Sequence, residues 1–327
     1  MGIAELLPVF LDLVRRVLLL LFVFLILTVF QVDQDRPRKQ ERKHISFVVY
    51  GDDSERWENM RQGAELVCEE NDTDLSMISM LTEDDAGEQK EIIDREIEDG
   101  ADALIIAACN SSEIADHIRG KNVPVVFAET MGQETSGGLV TIAPDDYKLG
   151  FELGESITEN ESDLTTVAII SEHSERDSVS LREKGLRDAI EGKVGKILNW
   201  TRNENQLNSN SRTFIQRAIV SEATDVIVTF DNSTTDALLD ALTNLNKQSK
   251  VYSVSTSNKA VYNLYNGDVR SLEYTNEFSM GYLAAMYAVD RSDARRRYSD
   301  YTIDHRIVRK ENMYDKDNQT LLFPFVN

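Results

Sequence analysis

Cysteine is scarce in this sequence of 327 residues, which contains only Cys68 and Cys109. A zinc cluster needs several closely spaced cysteine or histidine ligands, and a small secreted domain needs a dense disulfide framework, so both classes are excluded. Cys68 falls in a predicted helix and Cys109 at the end of a predicted strand. We therefore expect two free, partly buried thiols rather than a disulfide.

Positive charge is also in short supply. The chain has 35 Lys and Arg residues against 57 Asp and Glu residues, a formal net charge of −22. Nucleic acids are held by clustered Lys and Arg side chains that displace counterions from the phosphates, and a mostly acidic surface cannot do this. We therefore predict no nucleic-acid partner. The charge itself says little about the fold.

The common catalytic signatures are missing as well. The sequence has no G-x-S-x-G, H-E-x-x-H or G-x-x-x-x-G-K-[ST] motif, and its four histidines are scattered along the chain. Each of these motifs places a nucleophile, a metal or a phosphate in a defined local geometry. Without them we predict that the protein is not an enzyme and has no cofactor.

One long apolar run is present, over residues 17–30, with Arg15 and Arg16 just before it. A run of about 14 residues suits the core of a signal peptide, whereas a membrane span needs about 20. Snorkelling arginines would lengthen the span, and no small-x-small cleavage pattern or lipid-accepting cysteine follows it. We predict an uncleaved transmembrane helix within residues 1–32, followed by a charged linker over residues 33–44.

The orientation of this segment is ambiguous from charge alone. More Lys and Arg residues follow the apolar run, over residues 36–43, than precede it. The positive-inside rule would then leave the rest of the chain in the cytoplasm.

After residue 44, short apolar runs alternate with amphipathic helical segments. The first unit is ISFVVYGDDSERWENMRQG, and Trp57, Met60, Ala64 and Val67 recur at helical spacing in and just beyond it. Such units repeat about every 25 to 30 residues, and the series restarts with TTVAIIS near residue 165. The pattern predicts an α/β fold of two Rossmann-like lobes with parallel sheets and right-handed crossovers. Ligands of such sheets bind beyond the carboxyl ends of the strands, so the loop at residues 51–56 should border a site.

The order of these elements, with particular residues, resembles the type I periplasmic-binding-protein superfamily. This superfamily includes the sugar-binding proteins of ribose and galactose transport and the ligand domains of LacI-like repressors. The matching segments are EDGADALIIAA, VPVVFAE, SLREKGLRDAI, DVIVTFDNSTTDALLDAL and LEYTNEFSMGYLAA, in that order. The resemblance implies a three-crossover hinge near residues 142–146, 272–276 and 299–302. The first lobe would comprise 45–143 plus 276–300, and the second 144–275 plus 301–327.

The resemblance further implies a ligand in the cleft between the lobes, held by aromatic faces and by charged or amide groups that bond to hydroxyls. The positions that match the ligand-binding residues of the family are Arg56, Trp57, Glu129, Arg182, Asp231, Asn232, Ser255 and Thr275. Ser255 replaces an Asp of many members, Glu129 is longer than the usual Asp, and the first loop is acidic. These departures favour a different sugar, a modified sugar or another small polar molecule over a standard pentose or hexose.

Several of these residues also have a purely structural interpretation. Trp57 either packs in the core or stacks on the ligand, and Arg182 makes a surface ion pair or faces the cleft. Asp231 caps the following helix or binds the ligand. Asp145 and Asp146 are expected to cap the helix that begins beside them.

We therefore expect a membrane-anchored, extracytoplasmic solute-binding protein that binds a small polar ligand, expected to be a sugar. It would present this ligand to an ABC permease or a membrane histidine kinase. Members of this superfamily that have an N-terminal hydrophobic segment are exported. We give this resemblance more weight than the positive-inside rule and therefore expect the lobes to lie outside the cytoplasm. The alternatives are a cytoplasmic LacI-like regulator, which needs a helix-turn-helix where the apolar run stands, and an α/β enzyme, which needs the missing nucleophile and base.

Overall fold

The computed structural model describes residues 42–51, 54–130, 139–202, 210–292 and 300–322. The predicted transmembrane helix within residues 1–32 lies outside these ranges, and the predicted linker over residues 33–44 enters them only at residues 42–44. The linker prediction is wrong for Lys43 and His44, which begin the first strand and pair with Thr73 and Asp74 of the second. Within the described ranges, no helix is both long enough and apolar enough to cross a bilayer.

Twelve strands and ten helices alternate along the described residues. The strands are β1 (Lys43–Val49), β2 (Thr73–Ser79), β3 (Ala103–Ile106), β4 (Val125–Ala128), β5 (Val140–Pro144), β6 (Thr166–Ile170), β7 (Lys196–Trp200), β8 (Val226–Thr229), β9 (Lys250–Val254), β10 (Val269–Thr275), β11 (Tyr301–Ile303) and β12 (His305–Val308). The helices are α1 (Ser54–Glu70), α2 (Ala86–Glu98), α3 (Ser111–Ile118), α4 (Asp146–Asn160), α5 (Asp177–Ile190), α6 (Ser211–Ser221), α7 (Asn232–Leu245), α8 (Asn258–Asn266), α9 (Glu277–Ser292) and α10 (Lys316–Leu322).

The strands form two six-stranded sheets, one in each lobe. The order is β11-β5-β4-β3-β1-β2 in the first sheet and β12-β10-β9-β8-β6-β7 in the second. Neighbouring strands are parallel, with the exception of the antiparallel pair β10 and β12. The predicted α/β fold with two parallel-sheet lobes is confirmed.

Helices cover both faces of each sheet, so the central strands are buried throughout. Strands β3 and β4 are short apolar runs, and every residue in them is buried. Helix α1 packs its apolar stripe of Trp57, Met60, Ala64 and Val67 into the core of the first lobe, as their spacing predicts. The two cysteines are free and buried, which confirms the expectation of unpaired thiols.

The chain crosses between the lobes three times. Strand β5 ends at Pro144 in the first sheet, and α4 begins at Asp146 and packs on the second. Strand β10 ends at Thr275 in the second sheet, and α9 begins at Glu277 and packs in the core of the first. These two crossovers fall in the predicted hinge segments.

The third crossover lies at Asp304, beyond the predicted 299–302. Strand β11 pairs with β5 in the first sheet, and β12 pairs with β10 in the second. Residues 301–303 were therefore assigned to the wrong lobe, because three residues are too few to show a periodic pattern.

Helices α4 and α5 touch through their backbones at two glycines. A Cβ atom on Gly150 would lie 1.8 Å from the carbonyl oxygen of Arg182, and one on Gly185 would lie 2.0 Å from the carbonyl oxygen of Tyr147. No side chain fits in such a gap. The contact holds the backbone of Arg182 against α4, with Asp146 at the start of that helix.

We expect Gly150→Ala to lower the free energy of unfolding by about 1–3 kcal/mol, because the added methyl forces the two helices apart. This is the reverse of the usual stabilising effect of alanine in a helix. Urea unfolding followed by circular dichroism measures the change. Glu155→Ala, at an exposed position of the same helix, should stay within about 0.5 kcal/mol of the wild type. Equal stabilities for the two variants would contradict the close contact.

Candidate functional site

The candidate site is the cleft where the carboxyl ends of the two parallel sheets face each other. Residues that follow β1, β2 and β4 meet residues that follow β6 and β8, and several of these contacts cross from one lobe to the other. Ligands of parallel sheets bind at this edge because connecting loops and helix N-termini converge there.

Arg182 links the two lobes from the first turns of α5. Its Nε donates to Asp146 at 2.7 Å and its Nη1 donates to the carbonyl oxygen of Phe230 at 2.8 Å, both within the second lobe. Its Nη2 donates to Glu129 Oε1 of the first lobe at 3.2 Å. The side chain is 4% exposed, so the surface ion-pair interpretation is wrong and Arg182 belongs to the cleft. Asp146 is not a helix cap as predicted but the partner of Arg182, and Asp145 alone caps α4.

Glu129 is buried at the end of β4 and joins the aromatic side of the cleft. Its Oε2 accepts hydrogen bonds from Tyr50 at 2.9 Å and from Thr130 at 2.6 Å. The Tyr50 ring packs edge-on against Trp57 with the ring centroids 5.1 Å apart, and Trp57 Nε1 donates to the Tyr50 carbonyl oxygen at 3.1 Å. Trp57 is thus both a core residue and part of the cleft wall, so its two interpretations are compatible.

Arg176, which is not among the residues predicted from the sequence, lies between the two lobes in the cleft. It precedes α5 in the second lobe, yet its guanidinium lies 4.1 Å from the centroid of the Tyr50 ring in the first lobe. Its Nη2 donates to Glu83 at 2.5 Å, and its Nε donates to Asp84. Only 1% of the residue is exposed. The guanidinium therefore covers the aromatic face on which a ligand ring would stack.

His173 and Asp177 add two more bridges between the lobes. His173 Nδ1 lies 2.5 Å from Asp84 Oδ2, and Asp177 Oδ2 accepts hydrogen bonds from the backbone N–H, at 3.2 Å, and the hydroxyl of Ser111. Burial lowers the pKa of His173, but the Asp84 hydrogen bond and the charge of Asp231 outweigh it and raise the pKa above the ordinary value. Together with Arg176 and Arg182, these contacts hold the lobes closed.

Backbone strain is concentrated at the same place. Five described residues other than glycine have positive φ, and three of them are Asp84 (63°), Glu129 (72°) and His173 (54°), all in the cleft. Such conformations are costly for residues with a Cβ atom and are retained mainly at functional positions. The strain supports a functional role for this cluster.

The cavity that the described residues enclose in the cleft is small, about 10 Å³. Its lining residues are Tyr50, Gly51, Trp57, Glu83, Arg176, Asp231, Asn232 and Ser233. This volume holds about one water molecule. At this point of the cleft, the described side chains therefore leave little more room than a water molecule needs.

Asp231 and Asn232 lie side by side where β8 ends and α7 begins. Asp231 caps α7 by accepting from the backbone N–H of Thr234 at 2.8 Å, and it also lines the cleft cavity, so both of its interpretations apply. Burial raises the pKa of Asp231, but His173 and Arg176 outweigh this and lower the pKa below its ordinary value. Asn232 Oδ1 accepts from Ser255 Oγ at 2.9 Å, so a hydrogen bond to Asn232 connects Ser255 to the cleft.

Thr275 lies at the hinge and borders a separate cavity of about 170 Å³, away from the other predicted residues. The neighbouring Glu277 connects the lobes at this crossover. It accepts from Thr256 of the second lobe at 2.5 Å and from Asn59 of the first at 3.4 Å.

Arg56 belongs to α1, but its side chain lies outside the described residues.

The chemistry of the cleft suits recognition by hydrogen bonds and stacking. It combines carboxylates, two guanidiniums, an imidazole and two aromatic rings, the groups that bind hydroxyls and C–H faces.

Cys109 is the thiol nearest to this cluster, and burial raises its pKa to about 11. It therefore stays a thiol at neutral pH, which makes it a poor nucleophile.

Five of the predicted site residues lie together in the structure: Trp57, Glu129, Arg182, Asp231 and Asn232. The cleft also contains six residues that the sequence did not predict: Tyr50, Glu83, Asp84, His173, Arg176 and Asp177. Tyr50 directly follows β1 and His173 lies three residues beyond the end of β6, and these positions at the carboxyl ends of strands are a signal that could have identified them.

We expect the lobes to open as the pH rises through the raised pKa of His173. The protonated imidazole is attracted by Asp84, Glu83 and Asp231 and repelled by Arg176, with a net raised pKa. The protonated imidazole stabilises the closed form fully at a pH below about 6.5, the ordinary pKa of histidine. This stabilisation is lost as the pH rises above the raised pKa of His173. In a Trp200→Phe background, Trp57 is the one remaining tryptophan, and its emission should shift to longer wavelength as the pH rises.

His173→Gln should abolish this shift, whereas His44→Gln, which removes a contact to Ser76 in the first sheet, should leave it unchanged. A shift that survives His173→Gln would assign the transition to another group.

Solved structures with the same fold include several sugar-binding proteins. GanP, a glucose-galactose binding protein from Geobacillus stearothermophilus, has a TM-score of 0.74 and 18% identity over 84% of this chain and 100% of its own. A carbohydrate transporter solute binding protein from Agrobacterium radiobacter, in complex with D-arabinose, has a TM-score of 0.74 and 16% identity over 87% and 100%. The Caulobacter myo-inositol binding protein, bound to myo-inositol, has a TM-score of 0.72 and 16% identity over 84% and 96%. At these identities the likeness shows the fold alone.

A search of curated proteins finds no match to the sequence. The periplasmic binding protein domain, in contrast, matches residues 45–295, most of the chain. This match and the shared fold confirm the resemblance to the type I superfamily. The three similar structures named above are solute-binding proteins of this superfamily. The chain belongs to the periplasmic binding protein family.

Proposed function

We propose that this protein is a membrane-anchored, extracytoplasmic receptor that binds a sugar or a related polyol between its lobes. The observation that carries the proposal is the cleft cluster of Glu129, Arg182 and Asp231 beside the aromatic rings of Tyr50 and Trp57. Binding alone, without turnover, would be its activity.

The cluster is suited to a molecule that carries many hydroxyl groups. Each hydroxyl is both donor and acceptor, so it can bond to a carboxylate on one side and to a guanidinium on the other. The C–H face of the ring would lie on Tyr50, in the position of the Arg176 guanidinium. The similar proteins whose structures contain D-arabinose and myo-inositol support this class of ligand.

Ligand entry requires the lobes to separate and Arg176 to leave Tyr50. Hydroxyl groups of the ligand would then replace the direct contacts of Arg176 with Glu83 and Asp84. Closure around the ligand would rebuild the bridge between the lobes through the ligand. The open and closed forms thus differ in their contacts to the ligand, which is what allows binding to shift their populations.

We expect at least one sugar or polyol to raise the melting temperature of the full chain, purified in detergent. A suitable panel contains D-glucose, D-galactose, D-arabinose, D-allose and myo-inositol. Calorimetry then gives the affinity. Arg182→Gln should weaken it at least tenfold, because a charge-assisted hydrogen bond contributes about 1.5–3 kcal/mol.

Two further variants separate recognition from folding. Asp231→Asn removes the charge but keeps a good helix cap, so it should weaken binding and lower the ligand-free melting temperature only through the lost attraction to His173 and Arg176. Arg187→Gln alters the same helix as Arg182, at a residue bonded to Glu183 and Asn199 within the second lobe, and should bind normally. No stabilisation by any member of a broad panel would refute the sugar proposal, and turnover of a panel member would indicate an enzyme.

The membrane anchor and the export of the lobes rest on the apolar run at residues 17–30 and on the family. We propose that this run stays in the membrane and that the lobes face the outside. The closed form would then dock onto a partner in the membrane, an ABC permease or a histidine kinase.

Alkaline phosphatase fused after Asn327 should be active in a bacterial host, because this enzyme folds only after export, where its disulfides form. Deletion of residues 17–30 should abolish the activity. A green fluorescent protein fusion at the same place, which tests for a cytoplasmic location, should be dark. An inactive phosphatase with a bright fluorescent fusion would place the lobes inside and refute export.

A further inference from the structure

Glu273 presents a buried carboxylate that lacks a hydrogen-bond partner. The residue lies on β10, is 0% exposed, and neither of its carboxylate oxygens bonds to any described residue. Burial, and then the neighbouring Glu152, raise its pKa well above the usual range. A buried polar group of this kind is costly unless something binds it.

Two side chains from distant segments converge on this carboxylate. Glu152 comes from α4, and His305 is the first residue of β12. His305 Nε2 and Glu152 Oε2 lie 3.0 Å apart. One ligand atom from each of the three residues lies within 4.8 Å of the other two. Ligand atoms about 2.0–2.2 Å from a common zinc-class ion would lie about 3.4 Å apart, so the three atoms would have to move closer together to bind one ion.

The nearby basic groups do not bond to Glu273. Lys148 lies 3.4 Å from Glu152 but is 57% exposed. Arg309 donates through Nη2 to Ser156 at 2.9 Å, and its Nε is buried without a partner. The carboxylate therefore faces Glu152 and His305 with no cation bonded to it among the described residues.

The donor set selects the kind of ion. Two carboxylate oxygens and one imidazole nitrogen suit Zn²⁺ and its neighbours in the transition series, whereas Ca²⁺ and Mg²⁺ prefer oxygen ligands alone. A divalent ion also balances the charge of two carboxylates.

We propose that Glu152, Glu273 and His305 bind a divalent transition-metal ion of the zinc class. Water would fill the remaining coordination positions. Glu152 is 28% exposed and forms the entrance, and Glu273 forms the buried floor. The site is independent of the sugar-binding cleft.

Its position gives the ion a structural role. Glu152 follows the first crossover, Glu273 precedes the second by two residues, and His305 directly follows the third. All three ligands belong to the second lobe. A bound ion would tie together the three segments where they leave the hinge.

The test uses the full chain without a polyhistidine tag, stripped with EDTA and titrated with Zn²⁺ by calorimetry. We expect one equivalent of bound Zn²⁺ and a Zn²⁺-dependent rise in melting temperature. Glu273→Gln and His305→Gln should each weaken binding at least tenfold. Absorption of the Co²⁺-substituted protein in the visible range should report mixed nitrogen and oxygen ligands.

The matched control is His117→Gln, which breaks another histidine–carboxylate pair, with Asp94 at 2.9 Å. It should bind Zn²⁺ as the wild type does. If Glu273→Gln does not fold, His305→Gln decides the question alone. Absence of Zn²⁺ binding, or equal binding by the wild type and the His305 and Glu273 variants, would overturn the proposal. Sugar binding is measured separately, so neither result depends on the other.

Discussion

One buried guanidinium, that of Arg182, connects the parts of the molecule that must move relative to one another. It bonds to Asp146 beside the first crossover, to the end of β8 through the Phe230 carbonyl, and to Glu129 across the cleft. Burying a charge costs free energy unless it is paired and hydrogen-bonded, as the Arg182 guanidinium is. The glycine contact of α4 and α5 places the backbone of Arg182 where these bonds form. The helix packing, the hinge and the cleft are therefore parts of one arrangement.

The cleft, like the chain as a whole, is rich in carboxylates. Glu83, Asp84, Glu129 and Asp231 surround it, and closure is possible because Arg176, Arg182 and protonated His173 come between them. Positive charge is scarce overall but is concentrated where the carboxylates of the two lobes meet. Attraction across the cleft thus works against the repulsion that the net charge of −22 imposes on a closed form.

Much of the fold follows from local patterns in the sequence. Apolar runs that alternate with helical stripes identify βα units, and the ends of parallel strands identify the side on which a site forms, which is why Glu129 and Asp231 were found. Arg176 and Asp84 were missed because their importance depends on the approach of two lobes, a tertiary event without a local pattern. The three-residue strand β11 is too short for a periodic signal. The cluster at residues 152, 273 and 305 arises only when three crossovers meet, so no spacing along the chain indicates it.

The guanidinium that covers Tyr50 makes the closed, ligand-free protein a competitor of its own ligand. The apparent affinity for a ligand equals the intrinsic affinity multiplied by the fraction of molecules in which Arg176 has left the Tyr50 ring. The fraction is a property of the protein, so it lowers the affinity of every ligand by the same factor and leaves the ratios between ligands unchanged. The ligand concentration at which the lobes would close on a ligand is therefore set partly by the Arg176 contact and not by the ligand alone.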